Sequence, residues 1–366
     1  MTSYKKHKVL IVPLDWGLGH ATRCIPIINA LLQNGHEVLI GAENAQAILL
    51  EQAFPQITII PIKGYRVKYS KHRLFFALNL LAQLPRLIFT IRSEHNWLNK
   101  IVVKENISFV VSDNRYGLHH ATVPSIFITH QLTIKAPFKW IENILQSINY
   151  SYINRFSQCW VPDMQAPPGI AGVLSHPATM PFIPVHYINL LSRFKLITTS
   201  IEFDICVLLS GPEPQRSILE GLILQQVGQL QLSVLLVRGR PADSDSRNLS
   251  TNEVLQVPAN VKVVHHLDTV ALGQAIQQSK IVICRSGYTT LMELLPLKKK
   301  MILIPTPGQT EQEYLAGLFM QANYALSIQQ NDVELSAVLK QAEQFQFKQH
   351  AVQLFDSNSL NDLLLL

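Results

Sequence analysis

The sequence has few charged residues, few cysteines and no long apolar run. Only 15% of its 366 residues are charged and 48% are hydrophobic, whereas about a quarter of a typical soluble domain is charged. Such a chain can bury large cores, which excludes a disordered or fibrous protein. The most apolar run, residues 74–85, is shorter than the roughly 18 residues that cross a bilayer. We therefore expect no membrane-spanning segment.

The cysteines and the charges argue against further classes of protein. Four cysteines lie far apart without C-x-x-C spacing, so we expect a reducing cytoplasm and neither a zinc nor a redox site. The formal charge of +6 comes from scattered basic residues, so we expect no nucleic-acid partner. The N-terminus runs directly into a strand pattern without a small-residue cleavage site, which argues against secretion.

Short apolar runs alternate with helical patterns in the N-terminal half. A βαβ unit is predicted from HKVLIVPL, a helix over residues 21–34, and HEVLIGA. Further strands are predicted at ITIIPI, ISFVVS, PSIFIT and QCWVPD. Continuous apolar strands separated by helices indicate a parallel sheet that is covered on both faces.

The same architecture repeats after a proline-rich interruption at residues 164–192, where no regular element is expected. We predict an α/β protein with two Rossmann-like, doubly wound domains and an interdomain cleft. Residues 1–185 form the first domain and residues 203–345 the second, while residues 346–366 form a C-terminal helix that can pack back on the first domain. Because doubly wound sheets bind ligands at the carboxyl ends of their strands, we expect the site in the cleft.

The first chemical motif is PLDWGLGHATR, where a strand turns into a helix. Gly17 and Gly19 allow the tight turn, and the helix N-terminus can receive an anion. His20 is placed to act as a base near neutral pH, although a capping or core histidine is the alternative. Because Thr22 stands where a dinucleotide-binding fingerprint has its third glycine, the pattern disfavours a dehydrogenase.

Two further residues are candidates for the functional site because of their position or charge. Asp113 ends a predicted strand and is a candidate catalytic group, with a turn or cap residue as the alternative. Arg216 lies just beyond the turn after FDICVLLS, where its charge suits a diphosphate.

The second motif is ICRSGYTTLMELLPLKKKMILIPTPGQTEQEY. A strand ends at Arg285, and Ser286 and Gly287 form a turn before a helix whose N-terminus can receive a phosphate. The next helix carries three polar side chains in its first turns, which can bind sugar hydroxyls or simply complement the helix start: Gln309, Gln312 and Glu313.

This segment closely resembles the donor-binding region of GT-B glycosyltransferases of the MurG type, family 28, the N-acetylglucosaminyltransferases of peptidoglycan synthesis. The resemblance is strongest over residues 204–326, and the GLGH loop and ITHQL, residues 128–132, extend it. It implies a cytoplasmic, inverting transferase that uses a nucleotide diphosphate sugar, usually UDP-linked, without a metal or another cofactor. It also implies that residues 1–185 form the acceptor-binding domain and residues 203–345 the donor-binding domain, with a hydroxyl of a glycan or lipid-linked acceptor as the nucleophile.

The resemblance assigns donor-binding roles. Glu293 matches a glutamate that holds the ribose hydroxyls. Gln312 and Glu313 match a Gln-Gln pair that reads the donor sugar, and the glutamate departs from that pattern. Ser210 and Gly211 match a diphosphate loop.

Other matched positions concern the base and the acceptor. Leu267 lies where the family reads the nucleotide base through its backbone. His20 matches the histidine of the family's glycine-rich loop, and His130 and Gln131 match the start of its HEQN segment beside the acceptor.

Together these residues predict direct displacement at the anomeric carbon. His20, or else Asp113 or His130, takes the proton of the acceptor hydroxyl. The helix N-termini at 210–213 and 286–289, with Arg216 or Arg285, stabilise the leaving diphosphate.

Three alternatives remain open from the sequence. GLGHATRC also resembles the nucleotide-sugar hydrolase of the pseudaminic acid pathway, which uses water as the acceptor. UDP-N-acetylglucosamine 2-epimerases share the architecture, but their motifs are not evident here. The third alternative is a non-enzymatic nucleotide-sugar-binding protein.

The segment 71–92 combines apolar residues with flanking basic ones. One interpretation is a patch for peripheral contact with the inner membrane face. The alternative is a long core helix with a kink or break at Pro85.

Overall fold

The structure, a computed structural model, describes residues 6–65, 76–136, 138–240 and 257–364, with only the backbone of residues 76–84. The chain divides into two compact units. Unit 1 comprises residues 1–68, 78–193 and 353–366, and unit 2 comprises residues 69–77 and 194–352. The border in the middle of the chain thus lies at Arg193, between the expected limits of 185 and 203.

Unit 1 is built on a parallel sheet of seven strands in the order β3-β2-β1-β4-β5-β6-β7. The strands are β1 (Lys8–Pro13), β2 (Glu37–Ala42), β3 (Ile59–Pro61), β4 (Phe109–Asp113), β5 (Ser125–Ile128), β6 (Gln158–Val161) and β7 (Val185–Tyr187). Its helices are α1 (Leu18–Gln33), α2 (Asn44–Ala53), α3 (Phe76–Glu105) and α4 (Lys139–Ile153).

Unit 2 has a parallel sheet of six strands in the order β10-β9-β8-β11-β12-β13. Its strands are β8 (Phe203–Leu208), β9 (Val234–Val237), β10 (Val261–Val264), β11 (Ser279–Cys284), β12 (Lys300–Leu303) and β13 (Leu326–Ser327). Its helices are α5 (Gln215–Val227), α6 (Thr269–Gln277), α7 (Tyr288–Leu294), α8 (Thr310–Gln321) and α9 (Leu335–Gln344).

The apolar runs of the sequence explain this architecture, and the predicted α/β class is confirmed. In β1 the side chains of residues 9–12 are all fully buried, as expected for a central strand with both faces covered. The strand order reverses between β1 and β4 in unit 1 and between β8 and β11 in unit 2. Such reversals create ligand crevices at the carboxyl edges of doubly wound sheets.

The proline-rich interruption contains a strand that we did not expect. β7 follows Pro184 directly and pairs with β6 at the edge of the sheet, with Cys159 N–H donating to the Pro184 carbonyl at 2.9 Å. A proline is compatible with the start of an edge strand because its missing N–H is not needed for the ladder.

The expected helix over residues 346–366 is wrong for most of its length. The chain is extended at Leu354, which forms a backbone bridge with Leu190, and only α10 (Leu360–Leu364) is a regular helix. This segment packs on unit 1: Leu360 is fully buried, and the Asn361 amide donates to Asn34 Oδ1 at 2.8 Å.

The predicted segment 71–92 lies partly outside the described residues, because residues 71–75 are not described. Its remainder belongs to α3, which runs through Pro85. Ile88 and Phe89 of this helix are 42% and 72% exposed. Among the helices in the described ranges, none is both long and apolar enough to span a bilayer.

A buried ion pair fixes α3 to the carboxyl edge of the unit 1 sheet. Arg115, just after β4, donates through Nε to Glu94 Oε1 of α3 at 2.7 Å, and Tyr65 donates to Glu94 Oε2 at 2.7 Å. Arg115 also donates to the Pro13 carbonyl at 3.1 Å. The arginine therefore ties the ends of β1 and β4 to the helix that covers them.

The packing of the C-terminal segment can be tested with Leu360→Ala. Truncating a fully buried leucine should lower the free energy of unfolding by about 2–5 kcal/mol, measured by urea denaturation. Leu354→Ala is the matched control, because Leu354 is 47% exposed and should cost less than about 1 kcal/mol. Equal effects of the two variants would contradict this packing.

Candidate functional site

The glycine-rich turn of unit 1 lies where β1 passes into α1. Gly17 has a φ of +93°, a conformation that L side chains rarely adopt. The Gln46 amide of α2 donates to the Gly17 carbonyl at 2.8 Å and also to the Leu14 carbonyl. These two hydrogen bonds of Gln46 hold the turn in place. The Thr22 hydroxyl donates to the Gly19 carbonyl at 3.1 Å.

The turn brings His20 to Asp113. Asp113 is the last residue of β4 and is in register with Pro13, the last residue of β1. His20 is in the first turn of α1, and its Nδ1 lies 3.0 Å from Asp113 Oδ2. The His20 side chain is 15% exposed, while that of Asp113 is fully buried.

Arg23, one helical turn after His20, joins this pair. Its Nε donates to Asp113 Oδ1 at 2.9 Å and Oδ2 at 2.8 Å, and its Nη2 donates to Oδ1 as well. The same Nη2 lies 2.8 Å from His20 Nδ1, and Nη1 lies 3.2 Å from His130 Nδ1. The arginine is 1% exposed, so the cluster is a buried network.

The charges of the network shift the pKa values of its members. Burial and the Arg23 charge lower the pKa of His20, although Asp113 opposes them. Burial alone would raise the pKa of Asp113, but Arg23 and His20 outweigh it and hold that pKa below its ordinary value. Burial raises the pKa of the Cys24 thiol well above its usual range. At neutral pH the network thus contains an ionised Arg–Asp pair beside a neutral His20.

His130 and Gln131 follow β5, the next strand of the sheet. His130 is 6% exposed and belongs to the network through Arg23. The Gln131 backbone N–H donates to Thr129 Oγ1 at 3.0 Å, and its carbonyl accepts from Asn149 of α4 at 3.1 Å.

In unit 2, the loop after β8 carries Ser210 and Gly211 on the surface, and Gly211 has a φ of +94°. Arg216, in the first turn of α5, is buried and pairs with Glu213 and, at 3.7 Å, with Glu220. Glu213 also pairs with Arg240 at 2.6 Å and Glu220 with Arg238 at 2.5 Å, so two carboxylates are shared among three arginines.

The Arg285 side chain is fully buried and donates hydrogen bonds to backbone carbonyl groups. Its guanidinium donates to the carbonyls of Ile304 and Pro305 at 3.1 and 3.2 Å and to Gln215 at 2.7 Å. Because the guanidinium also donates to Gln330 Oε1 at 2.6 Å, it is bound within the protein rather than exposed for a phosphate, contrary to the expectation from the sequence. Ser286 is also buried, and its hydroxyl donates to the Gln312 carbonyl at 2.8 Å.

The side chains of Gln312 and Glu313 bind the loop that precedes their own helix. Gln312 Oε1 accepts from the Thr306 backbone N–H at 2.9 Å, and Glu313 Oε1 accepts from the Gly308 N–H at 3.0 Å. The Gln312 amide nitrogen remains beside Gly287, 3.9 Å from where a Cβ would stand there. Gln309 is the N-cap residue of α8.

The remaining donor-site candidates lie on neighbouring elements of unit 2. Glu293 is in α7 and only 6% exposed, and Leu267 follows β10 and is partly exposed. The Thr306 hydroxyl, after β12, is buried without a hydrogen-bond partner in the described structure. It lies 3.8 Å from where a Cβ on Gly211 would stand, so an orphan polar group lies beside the expected diphosphate loop.

The structure therefore brings together His20, Asp113 and His130 in unit 1. Sequence reasoning missed Arg23, although the motif GLGHATR places it three residues after His20, on the same helix face. Within the described ranges, no three His, Cys, Asp or Glu side chains converge as a metal site would require.

Comparison with known families bears on unit 2. Residues 208–360 match the glycosyltransferase family 28 C-terminal domain. The resemblance to this family is thus confirmed, and it rests on residues 208–360, the part of the chain that carries the second motif.

Two curated relatives differ in how much of the chain they cover. The chain is 31% identical over 103 residues to the UDP-N-acetylglucosamine–N-acetylmuramyl-(pentapeptide) pyrophosphoryl-undecaprenol N-acetylglucosamine transferase of Proteus mirabilis, which is 27% of this chain and 28% of that protein. It is 21% identical over 339 residues to an uncharacterized glycosyltransferase of Methanosarcina mazei, covering 87% and 84% of the two chains.

Solved structures show the fold. The glycotransferase of kitacinnamycin is similar with a TM-score of 0.61 and 14% identity, over 92% of this chain and 91% of that chain. MurG of Acinetobacter baumannii is similar with a TM-score of 0.54 and 14% identity, over 98% of both chains. The predicted GT-B fold is therefore confirmed.

The depressed pKa of His20 predicts a pH effect on stability. Below the unfolded-state pKa of about 6.5, the unfolded chain binds a proton that folded His20 does not, so acid reduces stability. His20→Gln should flatten the decline in unfolding free energy between pH 7 and pH 5, by at most about 1.4 kcal/mol per pH unit. Urea denaturation at each pH measures it, and an unchanged slope would contradict a neutral His20.

Proposed function

We propose that this chain, whose unit 2 matches the family 28 domain, is an inverting glycosyltransferase. It moves N-acetylglucosamine or another hexose from a UDP-sugar to a hydroxyl of a glycan or lipid-linked acceptor. The family match over residues 208–360 carries this proposal, and the His20–Asp113 contact in unit 1 supports it.

The donor binds at the carboxyl edge of the unit 2 sheet. The exposed Ser210–Gly211 loop receives the diphosphate beside the orphan Thr306 hydroxyl. Glu293 binds the ribose, and the Gln312 amide nitrogen beside Gly287 donates to the sugar. Because the oxygens of Gln312 and Glu313 hold the 306–308 loop, these two side chains also fix the shape of the sugar pocket.

His20 is the base of this mechanism. When Nδ1–H donates to Asp113, the lone pair on Nε2 is free to take the proton of the acceptor hydroxyl as it attacks the anomeric carbon. Asp113 stays ionised, because Arg23 holds its pKa low, and so stabilises the imidazolium that forms. Asp113 is fully buried, so it orients His20 rather than reaching the acceptor itself.

The negative charge of the leaving diphosphate is stabilised by several hydrogen-bond donors rather than by a single cation. The N-terminus of α5 and the backbone around Ser286 and Gly287 supply N–H groups. Arg216 adds a positive charge at the start of α5, although it is shared with Glu213 and Glu220. We propose that the reaction proceeds at these groups without a metal or another cofactor.

The proposal predicts that His20→Ala abolishes transfer but not donor binding. Loss of a general base should reduce turnover by about 10²–10⁴-fold, whereas donor binding should persist because the proposed donor-binding groups all belong to unit 2. Proton NMR with UDP-N-acetylglucosamine and a panel of glycan and lipid-linked acceptors measures the product, and line broadening of the nucleotide measures binding.

His186→Gln is the matched control, since His186 lies in β7 and outside the network. Full activity of His20→Ala would contradict its role as base. Rapid release of free sugar by the wild type without an acceptor would instead identify a hydrolase. Broadened nucleotide lines without any product would identify a binding protein.

An exposed apolar stripe supports contact with a lipid surface in addition to segment 71–92. Trp140, Ile144 and Ile148 of α4 are 63%, 50% and 51% exposed, and their spacing puts them on one helix face. The sole acidic residue of α4, Glu142, is buried and pairs with Lys139 at 3.0 Å. We propose that this stripe docks on an anionic bilayer at the inner membrane face, because aromatic and aliphatic side chains beside lysine suit a lipid interface.

Co-sedimentation with phosphatidylglycerol-containing vesicles at low salt tests the stripe. The double variant Trp140→Ser, Ile144→Ser should lose most of the vesicle-bound protein, because two of the three apolar side chains of the stripe are removed. Val270→Ser is the control, since Val270 is 78% exposed but lies in unit 2. Equal binding of wild type and double variant would contradict docking through α4.

A further inference from the structure

We propose that Arg23 is a positioning residue that sets which ring nitrogen carries the proton in both His20 and His130. This inference rests on the proposed function only in that His20 serves there as a base. It concerns the contacts of Arg23 with the two Nδ1 atoms, at 2.8 and 3.2 Å.

The argument begins with the capacity of each group to donate and accept. A guanidinium donates at every nitrogen and accepts at none, whereas a carboxylate only accepts. A neutral imidazole has one nitrogen of each kind. His130 Nδ1 touches Arg23 and must therefore accept from it, so the proton of neutral His130 is on Nε2.

His20 Nδ1 faces a conflict between two partners. Toward Asp113 Oδ2, at 3.0 Å, Nδ1 must donate. Toward Arg23 Nη2, at 2.8 Å, Nδ1 must accept. One nitrogen cannot do both at once, so Arg23 and Asp113 favour opposite tautomers of the same ring.

The balance in the ligand-free protein favours the contact with Arg23. Asp113 already accepts three hydrogen bonds from the guanidinium, so its need for a fourth donor is small. The contact with Arg23 is also the shorter of the two. In this state Nε2 carries the proton of His20, and the ring acts as a base only after that proton moves to Nδ1.

Three groups in the described part of the chain act electrostatically on His20: Arg23 on the same helix, Asp113 at the end of β4 and His130 after β5. The Cys24 thiol lies 3.9 Å from Asp113 Oδ2. The positive charge of Arg23 lowers the pKa of His20 in addition to burial. Arg23→Lys keeps a cation for Asp113 but removes the second nitrogen that reaches the ring.

Long-range ¹H–¹⁵N correlation spectra of ¹⁵N-histidine-labelled full-length protein, without donor or acceptor, read the tautomers directly. His20→Gln and His130→Gln assign the two rings by loss of signals. In the wild type, we expect the Nε2–H pattern for neutral His130 and for His20. In Arg23→Lys, we expect His20 to shift to the Nδ1–H pattern, because Asp113 Oδ2 then remains as the partner of Nδ1.

Arg115→Lys is the matched control, because Arg115 is equally buried and pairs with a carboxylate, Glu94, at the same sheet edge. It should lower stability without changing either tautomer. Should Arg23→Lys fail to fold, the wild-type spectrum still decides, because an Nδ1–H pattern at His130 overturns the proposal. Identical His20 patterns in wild type and Arg23→Lys overturn it as well.

The spectra are independent of sugar transfer. If the tautomers respond to Arg23 but no acceptor is glycosylated, the positioning role stands and the proposed function falls. If transfer occurs but the tautomers are the same in wild type and Arg23→Lys, the proposed function stands and the positioning role falls.

Discussion

The buried ion pair between Arg23 and Asp113 is the constraint on which the unit 1 site depends. A carboxylate with no solvent exposure is tolerated only when it is paired, and removing one partner of such a pair typically costs about 3–5 kcal/mol. Because Asp113 ends β4 and Arg23 lies in α1, the pair fixes the helix against the strand. His20, one turn earlier on the same helix, is thereby held at the carboxyl edge of the sheet.

The two units use their sheet edges differently. In unit 1 the edge carries titratable side chains that contact each other. In unit 2 most polar side chains at the edge hold loops: Arg285 binds carbonyls at the end of β12, and Gln312 and Glu313 bind backbone N–H groups of the 306–308 loop. In the transfer that we propose, unit 2 binds the donor and unit 1 supplies the proton acceptor.

The sequence predicted the six strands β1 to β6 because buried parallel strands have a distinctive composition. It did not predict β7, since an edge strand of three residues between prolines leaves no periodic pattern. The extended segment at Leu354 was mistaken for helix, because its pairing with Leu190 is a long-range contact without a local signal. His20 and Asp113 were found as separate candidates, but their contact became visible only with the register of β1 and β4.

The roles of Arg23 and Arg285 could not be predicted from the sequence. Both are buried arginines near a motif, and charge alone suggested a ligand for Arg285 and nothing for Arg23. What separates them is the identity of their partners: carbonyls for Arg285, and a carboxylate and two imidazoles for Arg23. Partners of this kind are distant in sequence, so only the fold reveals them.

If a base assists a single displacement at the anomeric carbon, the first product has the anomeric configuration opposite to that of the donor. Real-time proton NMR at early turnover resolves the anomeric proton of the product from that of the donor, with a hydroxyl acceptor or with water. We expect inversion, because the acceptor oxygen attacks the face opposite the leaving diphosphate while His20 takes its proton. Retention of the donor configuration would rule out a single displacement.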